Sequence, residues 1–427
     1  MELVNTELKN YKEYEELIDV DTKLQLEYFA ERLQGKRIAM VNATAFGGGV
    51  AEILHSLVPL FRSLGIDIDW WKMEGSDEFF IVTKTIHNCL QGQNVELTDK
   101  EKEIYLEYNR RNALEIKDWE YDFIVIHDPQ PAAMIRMRDQ VGKGKWIWRC
   151  HIDTSTPDPE CWDFIYQFIQ DYDACIFTMD EYVRENESLP HLTFFTPTID
   201  PLGIKNIPLE LDEAKEILGR FGVDNNRPLL TQISRFDPWK DPLGVIDVYR
   251  IVTKEFPSVQ LALVGSMATD DPEGWDYLYK TLRKAGEDYD IKVVTNFNGV
   301  TSLEVNAFQT CSSVIIQKSI REGFGLTVSE GLWKGIPVVG GNVGGIRVQI
   351  DDGINGYLVE TVEECAERVL TLLRNTAMAE KMGLAGKEKV RQNFLITTNM
   401  LNYLKLFYEL SSKTDTDLGM TTAYPVF

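Results

Sequence analysis

Two glutamates and a glycine-rich turn stand out in the stretch SIREGFGLTVSEGLWKGIPVVGG, which runs from Ser319 to Gly341. Glu322 opens a Gly-Phe-Gly turn, and Glu330 follows after seven intervening residues. A glycine turn that leads into a helix presents unpaired backbone N–H groups and the positive end of the helix dipole, which suit an anion. Carboxylates are poor phosphate ligands but accept hydrogen bonds from hydroxyl groups. The stretch therefore indicates a ligand that is both anionic and sugar-like.

The same two glutamates also fit simpler roles. Glu322 would then be an ordinary acidic residue at a helix N-terminus, and Glu330 would be a solvated helix residue. The position of Glu322 beside Gly323 and Gly325 favours ligand binding, whereas for Glu330 both interpretations stay open.

Two cations follow another predicted strand. Arg235 and Lys240 lie in SRFDPWKD, directly after the apolar run PLLTQIS. An arginine fork and a lysine point charge on one loop are suited to bracket a pyrophosphate. The alternative is a pair of surface cations that are neutralised by Asp237 and Asp241. Placement at the end of a strand favours the pyrophosphate interpretation.

The first half of the chain contributes a third set of polar residues. Three consecutive glycines, 47–49, follow the strand RIAMVN, and Asp128 and His151 end two later apolar runs. In parallel α/β sheets, ligands bind beyond the carboxyl ends of the strands. Three simpler interpretations stay open: glycines needed for close strand–helix packing, an aspartate that starts the turn at Pro129, and a histidine satisfied by a backbone carbonyl. His55 and His87 have no partner that the sequence identifies.

These residues need a scaffold of parallel strands. Strands and helices alternate on both sides of TPTIDPLGIKNIP, residues 196–208, which has three prolines and no periodicity. Such alternation is typical of doubly wound α/β domains. We therefore predict an α/β fold of two Rossmann-like domains, residues 1–200 and 208–395, that face each other across a cleft. A C-terminal helix of about 396–412 is expected to pack back on the first domain.

Individual elements are predicted from apolar runs and helical periodicity. The first domain should contain a charged helix over residues 1–34, another over about 98–117, and the strands RIAMVN, IDIDWW, YDFIVIHDPQP, KWIWRCHID, ACIFT and HLTFFTPTID. The second should contain helices LDEAKEILGRF, PLGVIDVYRIVTKEF and GWDYLYKTLRKAG, and strands PLLTQIS, VQLALVGS, IKVVTNF, SVIIQKS and GIPVVGG. Two or three helices should end the chain.

Composition excludes several classes of partner. The 427 residues carry a formal net charge of −23, which disfavours nonspecific binding to nucleic acid or to an anionic membrane. The N-terminus lacks the layout of a signal peptide and no apolar run is long enough to cross a bilayer, so a cytoplasmic location is expected. Six cysteines without C-x-x-C spacing indicate reduced thiols, and no metal site is predicted.

Taken together, these residues resemble glycosyltransferase family 4, the retaining enzymes of the GT-B fold. Two signatures of that family are matched by EGFGLTVSE and by the Arg…Lys pair of SRFDPWK. Further blocks are similar to the trehalose glycosyltransferring synthases and the related trehalose phosphorylases. They are FGGGVAEILHSLVPL, EFFIVTKTIHNCLQG, HDPQPAA, WRCHID, SRFDPWKDP, DDPEGW and IREGFGLTVSEGLWKG, which extend over most of the chain.

The resemblance implies reversible transfer of glucose from a nucleoside diphosphate glucose to free glucose, with formation of α,α-trehalose. Its implied catalytic residues are His151 facing the donor sugar, Asp128 towards the acceptor, Arg235 and Lys240 on the diphosphate, and Glu322 on the donor glucose. Its implied nucleotide-sugar contacts are Gly48, Gly49, Arg235, Lys240, Gly323, Phe324, Gly325, Leu326, Thr327 and, on the ribose, Glu330. No covalently bound cofactor is implied, and Mg²⁺ would act at most as a stimulating ion.

Other activities stay open. A trehalose phosphorylase would use inorganic phosphate and release α-glucose 1-phosphate, although the compact length favours a synthase. A sugar-nucleotide 2-epimerase would need no acceptor, and a sugar-nucleotide sensor would bind without turnover. From the similar blocks, acceptor selection is expected to involve Trp71, Glu74, Lys84 and His87. The expected partners are small molecules only, and a homodimer is compatible with this function.

Overall fold

The structure is a computed structural model, and it describes residues 1–46, 48–115, 120–184, 187–267 and 272–416. The chain divides into two compact units. The first unit is Met1–Thr198 together with the segment from Ile396 onward, and the second unit is Ile199–Leu395. Each unit contains its own sheet of parallel strands with helices around it. The predicted pair of Rossmann-like α/β domains is confirmed.

Within the described residues, the first unit is built on a seven-stranded sheet. Its strands are β1 (Glu2–Leu3), β2 (Arg37–Asn42), β3 (Asp67–Lys72), β4 (Phe123–His127), β5 (Lys145–Arg149), β6 (Ala174–Phe177) and β7 (Leu192–Phe194). Their order is β1-β3-β2-β4-β5-β6-β7, and neighbours are parallel except for β1 with β3. Strands β2, β4, β5 and β6 are almost wholly buried, as parallel strands are when helices cover both faces.

Helices connect these strands. They are α1 (Val20–Arg32), α2 (Gly49–Ser63), α3 (Asp77–Leu90), α4 (Asp99–Glu115), α5 (Arg138–Val141) and α6 (Pro159–Ile169), with 3-10 turns at Tyr11–Leu17, Ala132–Met137 and Asp180–Tyr182. The core of this unit is rich in tryptophan, with Trp70, Trp146, Trp148 and Trp162 fully buried. Burial of such large apolar surfaces is the main favourable term in holding the sheet and helices together.

The described part of the second unit has a six-stranded sheet that is parallel throughout. Its strands are β8 (Leu229–Ile233), β9 (Gln260–Gly265), β10 (Ile291–Thr295), β11 (Val314–Gln317), β12 (Val338–Gly341) and β13 (Gly356–Val359), in the order β10-β9-β8-β11-β12-β13. Its helices are α7 (Leu211–Gly219), α8 (Pro242–Val252), α9 (Pro272–Ala285), α10 (Ser302–Thr310), α11 (Leu326–Trp333), α12 (Ile346–Gln349), α13 (Val362–Arg374) and α14 (Thr376–Asn393). Short 3-10 turns occupy Pro238–Lys240 and Asn296–Asn298.

The last helix, α15 (Ile396–Thr416), belongs to the first unit. The ring of Phe407 lies 4.7 Å from that of Phe123 in β4, and Tyr408 lies 5.4 Å from Phe29 in α1. The C-terminal helix thus completes the core that the N-terminal strands began. None of the helices in the described ranges has the length and apolar content that crossing a bilayer requires.

The two ends of the second unit meet. The N–H group of Ile199 donates to the carbonyl of Phe394 at 2.8 Å, and Ile199 pairs with Leu395 in a short parallel bridge. The segment that follows is fastened to α10, because the Asn306 side-chain amide donates to the carbonyls of Ile204 and Ile207, at 2.9 Å each. The proline-rich segment is therefore ordered by contacts within the second unit.

The N-terminal region differs from its prediction. Residues 1–34 do not form one helix, because β1, a 3-10 turn and α1 share them. The side chain of Asn10 accepts from the N–H of Lys12, and that of Asp19 accepts from the N–H of Thr22. Each side chain caps a new helical segment while its own backbone stays extended, which interrupts the helix.

Some elements are absent from the prediction. Helix α3 lies in a stretch with no predicted element, and it starts where the Ser76 hydroxyl accepts from the N–H of Phe79 at 3.3 Å. Helix α6 begins with Pro159 after the cap Asp158, a combination that is typical of helix starts. Strand β13 has four residues, which is too short for a periodic pattern.

Candidate active site

In the second unit, the predicted cations and Glu322 lie beyond the carboxyl ends of two neighbouring strands, β8 and β11. The Nζ atom of Lys240 donates to both carboxylate oxygens of Glu322, at 2.7 Å each. The Lys240 side chain is 15% exposed and that of Glu322 is 9% exposed, so water and salt screen the pair weakly. We call this pair, together with Arg235 and the turn Gly323–Gly325, the lysine–glutamate cluster.

Lys240 is not neutralised by Asp241, contrary to the simpler interpretation. Asp241 accepts from the Nζ atom of Lys318 at 2.6 Å, and it also caps α8 by accepting from the N–H of Gly244 at 2.9 Å. The side-chain amide of Gln232 donates to the carbonyl of Lys240 at 2.6 Å. These contacts fasten the loop on both sides of Lys240, so the protein itself sets the position of the ammonium group.

Arg235 is less constrained. Its side chain is 67% exposed, and its Nη2 atom lies 3.5 Å from Oδ2 of Asp237. Pairing with Asp237, the simpler interpretation, is therefore present. An exposed pair of this kind is worth only about 0–1 kcal/mol. The guanidinium can therefore exchange Asp237 for a more highly charged anion at little cost.

The Gly-Phe-Gly turn is shaped by close backbone approaches. Gly325 has φ of 83°, and a Cβ atom there would lie 3.1 Å from Cγ of Glu322. The side-chain amide of buried Gln349 donates to the carbonyl of Phe324 at 2.6 Å. A Cβ atom on Gly345 would lie 2.5 Å from Cα of Phe324. The turn thus has little freedom to move, which keeps Glu322 facing Lys240.

The turn leads directly into α11. Gly325 is the N-cap of this helix and offers no side-chain cap, and Leu326 and Thr327 are its first, half-buried residues. The first N–H groups of a helix have no partner within the helix, and the helix dipole favours an anion there. The start of α11 therefore suits a phosphate group, as the sequence predicts.

Glu330 lies one turn further along α11. It is 1% exposed, so the interpretation as a solvated helix residue is wrong. The side-chain amide of Gln309 donates to its Oε2 at 2.8 Å, and the Nζ atom of Lys205 lies 3.7 Å from its Oε1. A buried carboxylate with one strong hydrogen bond keeps capacity to accept more, which suits hydroxyl groups.

In the first unit, Asp128 and His151 lie beyond β4 and β5, which are neighbours in the sheet. Oδ1 of Asp128 accepts from the backbone N–H of His151 at 2.8 Å. Asp128 has φ of 64°, in the left-handed region, and its carbonyl accepts from the indole N–H of Trp148 at 3.0 Å. Burial raises the pKa of Asp128 to about 6, although the His151 N–H and the charge of Arg149 oppose the shift. Asp128 therefore does more than start the turn at Pro129.

His151 is paired with a second histidine rather than with a backbone carbonyl. Its Nε2 atom lies 3.0 Å from Nδ1 of His127, the last residue of β4. Burial, reinforced by the nearby Arg149 charge, lowers the pKa of His127 to about 3 and that of His151 well below its ordinary value. Both rings are therefore neutral at physiological pH.

Arg149 is a buried cation that sequence reasoning missed. It ends β5, in register with His127, and donates to the carbonyls of Phe195 at 2.5 Å and Cys150 at 3.2 Å. Burial lowers its pKa, and interactions that include Tyr403 of α15 oppose the shift. A charged residue at the end of a buried strand was the available signal. We call His127, Asp128, Arg149 and His151 the histidine cluster.

The glycine loop of the first unit lies at the start of α2. Gly48 is the N-cap with φ of 103°, and a Cβ built on it would have no atom of a described non-neighbouring residue within 4 Å. Gly48 is thus required by its backbone conformation and not by close packing, and Gly49 is the first helical residue. Gly47 lies outside the described residues. His55 of α2 does have a partner, because its Nε2 atom lies 3.0 Å from the carbonyl of Ala45.

The residues expected to select an acceptor are divided between two elements. Trp71 lies near the end of β3 and donates from its indole to the hydroxyl of Tyr121 at 3.1 Å. Glu74 follows β3, and its backbone N–H donates to the Asn112 side chain at 2.9 Å. Lys84 and His87 lie on α3. Their roles remain predictions.

Two cavities of the second unit lie away from the predicted site residues, and the described residues include no cluster of metal ligands. In the ranges that the structure describes, no group of three or more His, Cys, Asp or Glu side chains is placed to hold a metal ion. No step is assigned to a metal ion. Two surface cavities of the second unit, of about 460 and 270 Å³, are lined by none of the predicted site residues.

Comparison with known proteins identifies the family. Residues 40–184 match the model of the trehalose synthase N-terminal domain, and residues 213–389 match that of glycosyl transferases group 1. The chain is 50% identical to a trehalose synthase of Pyrococcus horikoshii over 403 residues, which are 94% of this chain and 97% of that protein. It is 27% identical to a trehalose phosphorylase of Grifola frondosa over 83% of this chain but only 54% of that protein.

Solved structures agree on the fold. A sucrose-phosphate synthase from Thermosynechococcus elongatus superposes with a TM-score of 0.72 at 16% identity, covering 88% of this chain and 100% of that one. One conclusion follows from the two sheets, the clusters at the strand ends and the match at 50% identity over most of the chain. The chain belongs to the trehalose synthase family and is a glycosyltransferase of the GT-B fold.

Proposed function

We propose that this protein is a retaining glucosyltransferase that reversibly transfers glucose from a nucleoside diphosphate glucose to free glucose, forming α,α-trehalose. The observation that carries the proposal is the Lys240–Glu322 pair beside the Gly-Phe-Gly turn. It supplies a fixed cation for the leaving diphosphate and a carboxylate for the donor sugar in one place. We assign the acceptor to a domain of residues 1–200 with the helix of about 396–412, and the nucleotide sugar to residues 208–395.

Cleavage of the donor leaves negative charge on the departing diphosphate. Lys240 and Arg235 stabilise that charge, which is usually the largest catalytic contribution. Lys240 is already positioned by its loop, whereas exposed Arg235 reorients from Asp237 onto the phosphates. The N–H groups at Leu326 and Thr327 of α11, and those of the Gly48–Gly49 loop, add donors for the phosphate oxygens.

Hydroxyl groups of the donor are bound by carboxylates and by the turn. Glu322 and the N–H groups of Gly323, Phe324 and Gly325 hold the glucose, and Glu330 accepts from the ribose. The burial of Glu330 supports this role, because a buried carboxylate discriminates strongly in favour of ligands that donate to it. His151 is neutral and orients the donor hydroxyls near the reacting carbon.

Attack by the acceptor occurs on the same face that the leaving group departs from. We assign both glutamates of the signature to substrate hydroxyl groups, and both carboxylate oxygens of Glu322 already accept from Lys240. This arrangement supports front-face substitution rather than the double displacement of a retaining glycosidase. A departing phosphate oxygen takes the proton of the attacking glucose hydroxyl, and Asp128 polarises that hydroxyl.

Trehalose phosphorylase is the second candidate, because a phosphorylase is among the relatives. The synthase is favoured by the match over 97% of its length, against 54% for the phosphorylase. Trehalose supplied with phosphate should yield no α-glucose 1-phosphate, whereas trehalose supplied with nucleoside diphosphate should yield nucleoside diphosphate glucose. Formation of an epimerised nucleotide sugar without acceptor, or binding without turnover, would indicate the epimerase or the sensor.

The decisive experiment is a screen of uridine, adenosine and guanosine diphosphate glucose, each with glucose as acceptor. Product identity is read by NMR of the anomeric protons, with and without Mg²⁺. We expect α,α-trehalose, and a β-linked product would contradict retention. We place the enzyme in the cytoplasm, where its nucleotide-sugar donor would be found, with small molecules as its partners, and a homodimer is compatible with this function.

A further inference from the structure

One hydrogen bond of the histidine cluster joins two imidazole rings. Nδ1 of His127 lies 3.0 Å from Nε2 of His151, and the rings are stacked with an interplanar angle of 18°. His127 is 1% exposed, so it presents almost no surface to a substrate, whereas His151 is half-buried. His127 therefore acts on a substrate indirectly, and its hydrogen bond to His151 is one route.

The contact on the far side of His127 decides which ring donates. A hydrogen bond between two neutral imidazoles has one donor and one acceptor. Nε2 of His127 lies 3.5 Å from the sulfur of Met40, which has no hydrogen to donate and accepts weakly. That sulfur suits an N–H group and would leave a bare nitrogen lone pair unsatisfied. His127 thus carries its hydrogen on Nε2, its Nδ1 accepts, and His151 donates from Nε2.

The charged neighbours keep this arrangement neutral. Arg149 is buried beside both rings, and its charge opposes a second proton on either of them. A second proton on His127 would lie on Nδ1 and would face the Nε2–H group of His151 across the 3.0 Å contact. The carboxylate of Asp128 is engaged by the backbone N–H of His151 and makes no hydrogen bond to either ring among the described contacts.

We propose that His127 is a positioning residue that holds His151 in the Nε2–H tautomer, so that Nδ1 of His151 presents a lone pair to the donor sugar. No described residue bonds to that Nδ1 atom. A glucose hydroxyl then donates to His151, which leaves more electron density on the sugar as positive character develops at its anomeric carbon. The proposal deepens the proposed function, because it rests on His151 facing the donor.

The tautomer is measurable without substrate. The chain has five histidines, so nitrogen-15 labelling of histidine gives a small set of ring signals, and His151→Gln identifies those of His151. In the wild type we expect the hydrogen of His151 on Nε2. A hydrogen on Nδ1 would overturn the proposal on the wild-type protein alone. This readout stands even if the wild type transfers nothing from nucleoside diphosphate glucose, an outcome that would contradict only the proposed function.

Two substitutions of His127 separate tautomer control from packing. His127→Phe keeps an aromatic ring but removes the acceptor, so His151 should populate both tautomers. His127→Asn keeps an acceptor close to Nδ1 and should retain the Nε2–H form. His191→Asn is the matched control, because His191 lies elsewhere in the unit with φ of 35°, which asparagine tolerates.

The kinetic consequence should follow the tautomer. His127→Phe should lower kcat/KM for the donor by about tenfold, the loss that corresponds to one hydrogen bond of about 1.4 kcal/mol. His127→Asn should restore most of it, and the KM for acceptor glucose should not change. Equal losses in both variants with an unchanged His151 tautomer would mean a packing role only. If His127→Phe shows no cooperative unfolding and is therefore not folded, the nitrogen-15 spectra of the wild type and of His127→Asn still determine the tautomer of His151.

Discussion

The lysine–glutamate cluster and the histidine cluster handle charge in opposite ways. Lys240 and Glu322 carry full opposite charges that neutralise each other at 2.7 Å. In the histidine cluster, burial keeps His127 and His151 neutral and raises the pKa of Asp128 to about 6. The cluster that we assign to the diphosphate holds a cation ready for an anionic leaving group. The histidine cluster instead keeps its two imidazole rings neutral, and its charges are those of buried Arg149 and Asp128.

Removing the positive charge of Lys240 from the lysine–glutamate cluster should have the largest effect. Lys240→Ala should lower kcat by about a hundredfold to a thousandfold, because a fixed donor to the departing oxygen is lost. It should also destabilise the protein by about 3–5 kcal/mol, since Glu322 is left buried without its cation. Transfer rates measured well below the unfolding transition separate the two effects.

Arg227→Ala is the matched control for Lys240→Ala. It breaks a bidentate ion pair with Asp290, at 2.7 Å, in the same unit but before β8 begins. We expect it to lower stability and to leave kcat unchanged. An equal loss of kcat in both variants would remove the special role of Lys240.

Removing the carboxylate charge of Asp128 from the histidine cluster should raise the stability of the protein. The pKa of Asp128 is about 6 in the folded protein against 3.8 in the unfolded chain, so the folded state binds more protons between these values. The contribution of protonated Asp128 to the free energy of unfolding is therefore present at low pH, and it is lost as the pH rises through 6. Relative to wild type, Asp128→Asn should therefore gain on the order of 3 kcal/mol between pH 4 and pH 7. Urea unfolding at both pH values measures this, with exposed Asp139→Asn expected to follow the wild type.

Arg235→Ala tests the exposed member of the lysine–glutamate cluster. Its kcat should fall by about a hundredfold, while the free energy of unfolding changes by less than about 0.5 kcal/mol because the side chain is at the surface. This result would show that the charge of Arg235 contributes strongly to kcat but little to the free energy of unfolding, unlike the charge of Lys240. A loss of less than about tenfold, or about 1.4 kcal/mol in the barrier, would contradict the leaving-group role.

Glu330→Gln should have the smallest effect. The amide keeps an acceptor for Gln309 but loses the charge that strengthens hydrogen bonds from the ribose. The Kd of free nucleoside diphosphate should rise by about tenfold in isothermal titration calorimetry. Glu367→Gln, on the exposed side of α13, is the control, and an equal Kd in the two variants would exclude the ribose role.

The most predictable parts of the fold were the buried strands and the places where they end. Strand β2 has the predicted bounds, because a continuous apolar run with a polar end is a clear signal. The N-terminal region was harder, since the capping side chains of Asn10 and Asp19 overrode the helical spacing of its apolar residues. Strand β13 has four residues and depends on its pairing with β12 more than on its own sequence.

The sequence predicted which residues belong to the candidate site, but it did not predict which of them contact one another. Strand ends led to Arg235, Lys240, Glu322, Asp128 and His151, which follow β8, β11, β4 and β5. Lys240 and Glu322 are 82 positions apart, so only the pairing of β8 with β11 brings them together. His127 and Arg149 were missed for a similar reason, because burial beside His151 is a property of the folded sheet.

The meeting of Ile199 with Phe394 and Leu395 has a consequence for synthesis on the ribosome. The second unit is a complete insertion, so all of its strands have been made once Leu395 has been added. The first unit begins earlier but still lacks α15, whose Phe407 packs on β4. Domains commonly fold in the order in which they are translated. Here we expect the second unit to form its native core first, although its synthesis begins later. The first unit completes its core only after α15 has been synthesised.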